Sequence, residues 1–157
     1  MNPVVFPDHV ARGLLFSMVS LAWVIPAAIQ DWRSGQVSNY LTLGGLLASL
    51  AIYLAGWSDA QWWGVLLMVV LVLLLWHYGH LGGADAKGWI AFALLGQTIL
   101  LAALSGMLFW FILIRGKVVT PPHERAPGYP GYVIGLFLVF AVVMVQAMNL
   151  VLANSAY

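Results

Sequence analysis

The chain has 157 residues, 63% of them hydrophobic and 7% charged. Soluble domains carry roughly 25% charged residues, so an aqueous globular fold is excluded. The net charge of +1 offers no basic surface for nucleic acid, and the absence of cysteine excludes disulfides, thiolate metal sites and a cysteine nucleophile.

The apolar segments run well past the ~10 residues of a barrel strand and do not alternate in polarity, which makes them membrane helices. Ala11 to Ile29 is the first, with Arg12 at its start. A basic residue before an apolar run also fits a signal sequence, but the run is long and no clear small-x-small cleavage site precedes Gln30. Pro26 is expected to kink or end it. Gln30 to Asn39 is polar and turn-rich, with Trp32 at the interface. Ser38 or Asn39 can cap the next helix, Tyr40 to Gly56, where Gly44-Gly45 suggests close packing. Trp57-Ser58-Asp59 is a tight turn. Gln61 to Gly79 is the third span, with Trp62 and Trp63 at one end and Trp76 and Tyr78 at the other, as interfacial aromatic belts require.

Leu81 to Ile114 reads as one very long helix or two shorter ones. Gly96-Gln97 offers a break, giving a short fourth span and a fifth from Thr98 to Ile114. Arg115 to Pro130 is a proline-rich polar loop, and Gly131 to Leu152 is the last span. Charge decides between the two counts. With six spans, Arg33, Lys87, Arg115, Lys117 and Arg125 fall on one side and only Arg12 on the other. With five, the set splits. The positive-inside rule therefore favours six helices in a single membrane-embedded domain over residues 1–157, with both termini outside the cytoplasm.

Five carboxylates are available for chemistry: Asp8, Asp31, Asp59, Asp85 and Glu124. In the six-span reading Asp8 and Asp59 lie on the outer face, and Glu124 sits in the proline-rich loop. Asp31 follows the first span and Asp85 enters the fourth, so both reach the cytoplasmic boundary. Two such aspartates can form a dyad. Like charges held close cannot both ionise, so one keeps a proton. The ionised member then deprotonates a water while the protonated one polarises a carbonyl, which hydrolyses an amide without a metal, a cofactor or a covalent intermediate. Each residue also has a plainer reading: Asp31 as a turn cap or partner of Arg33, and Asp85 as a helix N-terminal charge paired with Lys87. His77 and His80, one helical turn apart, have metal-ligand spacing and offer a zinc alternative. A transporter or assembly subunit using Asp85 as an ion or proton site is the non-enzymatic alternative.

Asp31-x-Arg33-x-x-x-Val37-Ser38-Asn39 and Gly82-Gly83-Ala84-Asp85-x-Lys87 resemble, in order and spacing, the two signatures of type IV prepilin peptidases, including archaeal preflagellin peptidases, which are GxGD-type membrane aspartic proteases. Pro127-x-x-Pro130-Gly131 is similar to the proline-containing entry to that family's last helix. The resemblance implies an all-α, six-helix membrane protease in the plasma membrane, embedded in lipid, with Asp31 and Asp85 catalytic. It implies supporting roles for Gly82, Gly83, Ala84, Lys87, Arg33 and Asn39. The implied partner is a pilin-like or archaellin-like precursor, cut after a glycine at the end of a short basic leader on the cytoplasmic face. Two features depart from the pattern. Ala84 stands where the family has glycine, so a backbone needing positive φ would be strained there. The cysteine-bearing insertion of larger relatives, linked to N-methylation, is missing, so methyltransferase activity is not expected.

Overall fold

The computed structural model describes residues 8–120, 122 and 128–155. Pro3, Pro7, Glu124, Arg125 and Pro127 lie outside them. The described residues form six helices: α1 (Asp8–Ser34), α2 (Asn39–Leu54), α3 (Trp62–His77), α4 (Gly83–Leu95), α5 (Gln97–Arg115) and α6 (Tyr129–Ser155). Three are long and apolar enough to cross a membrane: α1, α5 and residues 129–153 of α6. The chain is thus an all-α, multi-pass membrane protein.

The first helix differs from expectation. It runs unbroken through Pro26 for 27 residues and takes Asp31 and Arg33 into its last turns. Proline removes one backbone bond, but the helix is held on both sides of it by packing on α6 and α2. An apolar run underestimates a helix whose ends project beyond hydrocarbon, because backbone bonding continues under polar side chains. Gly35, at φ 65°, ends it. Ser38 caps α2, its hydroxyl accepting from the Leu41 N–H at 3.4 Å. The Ser38 N–H donates to Gln30 Oε1 at 3.0 Å, tying the turn back to α1.

The expected break at Gly96 is present. This residue ends α4 and precedes α5 with φ 120° and ψ 170°, a region open essentially to glycine alone. A Cβ there would also run into the Asp59 carboxylate.

α1 packs on α6 and α2, α6 on α5, and α4 on α2, α3 and α5. α4 is short, 13 residues, about 20 Å at 1.5 Å per residue, and most of it is buried among the others. α3 is the opposite case: of its 16 residues Val72 alone is buried, and its leucines face outward, as suits a lipid-facing helix. Glycines set two contacts. The Trp23 indole lies flat over Gly45, where any Cβ would overlap it, whereas Gly44 faces open space. Gly106 on α5 meets Gly131 and Gly135 on α6 so closely that a side chain at any of the three would enter the opposing helix. Such small-residue crossings supply the close van der Waals packing that joins helices in lipid.

This chain path puts Arg33, Lys87, Arg115 and Lys117 at one end of the bundle and Asp8, Arg12 and Asp59 at the other.

Candidate active site

Asp31 comes from the last turn of α1 and is 9% exposed. A carboxylate this buried needs donors. The Tyr129 N–H supplies one, donating to Asp31 Oδ2 at 3.1 Å. The physical reason lies in α6: Tyr129 is its first residue, and the first amides of a helix have no acceptor within it. Asp31 therefore caps a helix, although one 98 residues away rather than a local turn.

Asp85 lies in the first turn of α4, where an acidic group suits the positive end of the helix. The Tyr132 hydroxyl faces its Oδ1 at 3.5 Å, a long hydrogen bond. Gly82, the N-cap, has φ −71°, and Gly83 and Ala84 are already helical. Among the described residues, positive φ outside glycine is confined to Lys117, so Ala84 carries no backbone strain. Its carbonyl accepts the Tyr129 hydroxyl at 2.8 Å.

Asp31 and Asp85 line one open cavity of about 530 Å³. Gly82, Gly83 and Ala84 form part of its wall. Gly35, Gln36 and Val37 approach from the turn after α1, His80 and Leu81 from the turn before α4, and Met107 and Phe111 from α5. Tyr129, Tyr132 and Gly128 complete it.

The other residues singled out from the sequence are placed around this cavity. Lys87 Nζ donates to Asn39 Oδ1 at 2.5 Å, clasping the start of α2 to α4. Arg33 lines a separate apolar groove with Trp32, Trp110 and Pro130 and is not among the residues lining the Asp31–Asp85 cavity. α3 ends at His77 and Gly79 turns the chain at φ 74°, so the one-turn helical spacing expected of His77 and His80 is not kept. His77 packs on Tyr78, while His80 borders the cavity. Among the described residues no three His, Cys, Asp or Glu side chains gather as metal ligands would.

An aromatic cluster backs the site. Tyr132 meets Tyr129 and Trp89 edge-on at 5.2 Å and Phe92 at 5.4 Å, and Trp23 stacks on Phe92 at 5.4 Å. These rings lock α1, α4 and α6 together beneath the carboxylates. Sequence reasoning missed Tyr129 and Tyr132. Their spacing of three at the start of the last span was a signal, since it puts both on one helical face.

A family model, the type IV leader peptidase family, matches residues 18–120, most of the chain and both aspartate motifs. The chain belongs to that family. It is a type IV prepilin/preflagellin leader peptidase, an aspartic endopeptidase. No curated protein and no solved structure matches it.

Proposed function

We propose that Asp31 and Asp85 are the catalytic pair of this leader peptidase, acting on pilin-like or archaellin-like precursors at the cytoplasmic membrane boundary. The observation that carries the reading is that both carboxylates, brought by different helices, open into one cavity at the basic end of the bundle.

One carboxylate is ionised and takes a proton from water as the water oxygen attacks the scissile carbonyl carbon. The other, protonated, donates to the carbonyl oxygen. The resulting gem-diol collapses as its C–N bond breaks and a proton passes to the leaving amine. Neither aspartate is covalently modified. The cavity suits a leader junction ending in glycine: its floor is glycine and alanine from 82 to 84, and Val37, Leu81, Met107 and Phe111 offer apolar walls to the substrate helix that follows.

All six helices cross the membrane in this reading, the three shorter ones with help from their neighbours. α4 is about 20 Å long against a hydrocarbon core of about 30 Å, but it is sheathed by α2, α3 and α5 and meets little lipid. The basic end faces the cytoplasm by the positive-inside rule. Arg33 then meets lipid headgroups, and Lys87 with Asn39 holds the α4 entrance. The whole of residues 1–157 serves as one peptidase domain, with neither metal nor cofactor in the step.

The test is leader removal from a precursor with glycine before the cut, by purified protein in lipid. Asp31→Asn and Asp85→Asn should each lose at least about 1,000-fold in rate, as removal of an acid or base from a concerted pair does. Substantial cleavage by either well-folded variant overturns the reading.

A further inference from the structure

A two-carboxylate mechanism demands fixed spacing, because a misplacement of about 1 Å costs on the order of 100-fold in rate. Here the two carboxylates come from α1 and α4, and the chain between them spans two whole helices. Something outside both must set their separation.

One residue contacts both halves. Tyr129, 1% exposed, gives its backbone N–H to Asp31 Oδ2 and its phenolic O–H to the carbonyl of Ala84, the residue before Asp85. Neither bond is incidental. The N–H is one that α6 cannot use itself, and a buried phenol requires an acceptor. Gly88, one turn along α4, leaves the room: a Cβ there would already touch the Tyr129 oxygen at 3.4 Å. Tyr132, one turn further on α6, reaches the Asp85 carboxyl itself; Trp89 and Phe92 meet its ring edge-on, and Trp23 and Tyr132 meet that of Tyr129 edge-on, so neither phenol can swing away. Both tyrosines lie beyond the residues 18–120 that match the family model.

We infer that Tyr129 is a positioning residue. It acts as a strut from the start of α6 that fixes the distance between Asp31 and the turn bearing Asp85, while Tyr132 restrains the Asp85 carboxyl. The inference rests on the Asp31–Asp85 reading above.

Tyr129→Phe keeps the ring and the backbone bond and deletes only the strut to Ala84; Tyr129→Leu deletes the ring as well. In the precursor cleavage assay, Tyr129→Phe should lower kcat by roughly 10- to 100-fold with KM within about threefold, a loss expected from misalignment and not from weaker substrate binding. Tyr129→Leu should be at least as impaired. Tyr132→Phe, losing a longer bond, should lose several-fold in kcat. A residue that merely fills space would give the opposite pattern: full kcat in Tyr129→Phe and loss only in Tyr129→Leu. That result overturns the inference. If Tyr129→Phe does not fold, wild-type kcat in Tyr132→Phe overturns it equally. Asp31→Asn and Asp85→Asn are run alongside. If those still cleave, the dyad reading is what fails; if they are inactive while Tyr129→Phe is fully active, the dyad stands and the strut falls.

Discussion

The two ends of the bundle hold cavities of almost the same size, about 530 Å³ at the Asp31 end and 540 Å³ at the other. Both are lined by carboxylates. At the far end Asp8, Arg12 and Asp59 are exposed surface groups. At the near end Asp31 is buried, takes the first amide of α6, and shares the cavity with Asp85. The two ends thus match closely in volume and each brings two carboxylates to its cavity, and what separates them is the framework around the carboxyls. Burial raises the cost of a carboxylate, and a protein that keeps one there must hold it with fixed donors. Fixed donors are also what a reaction needs.

Substitutions at each end test this contrast. Apart from changes to the two aspartates, Ala84→Leu is expected to have the largest effect on activity, since it would push an isobutyl group into the turn that carries Asp85; a loss of roughly 100-fold should follow, with Ala84→Gly close to wild type because the site is helical and unstrained. Full activity in Ala84→Leu, measured by precursor cleavage, would mean that the cavity wall need not be small. At the other end, Gly96→Ala should act on stability and not on chemistry. Its backbone sits at φ 120° against the Asp59 carboxylate, so thermal denaturation in detergent should show a loss of about 1–3 kcal/mol. The folded enzyme should cleave normally. A selective loss of kcat in that variant would link the two ends in a way the contrast denies. The smallest effect is expected from the clasp between Lys87 and Asn39. Lys87→Met and Asn39→Ala should each reduce activity two- to fivefold, matching the ~0.5–1 kcal/mol that a hydrogen bond contributes. The double variant should be no worse than either single one, because both remove the same bond.

Much of this framework is legible in the amino-acid order. The helix count, the stop at Gly96 and the shared end of Asp31 and Asp85 follow from apolar runs, one glycine and the placing of a few charges, because in lipid those features are strongly constrained. What escaped is long-range or generic. The extension of α1 through Pro26 to Ser34 depends on neighbours that hold the helix, not on its own apolar content. The bond between Asp31 and Tyr129 joins residues 98 apart, and nothing local announces it. Tyr129 and Tyr132 look like interfacial aromatics in sequence, since tyrosine at the end of a span is common for that reason alone. The spacing of His77 and His80 suggested a shared helical face, but the helix ends between them.

In the proposed mechanism Asp31 and Asp85 act as one unit, while the carboxylates of the opposite end take no part. The most direct measurement is the residual rate of leader removal by Asp31→Asn, Asp85→Asn and the double variant, with Asp59→Asn as the control, each purified in lipid and checked for folding. The account predicts that the double variant retains the same trace rate as either single one, since residues acting in one step are not additive, and that Asp59→Asn stays within about twofold of wild type. Losses that multiply in the double variant, or a collapse of activity in Asp59→Asn, would contradict it.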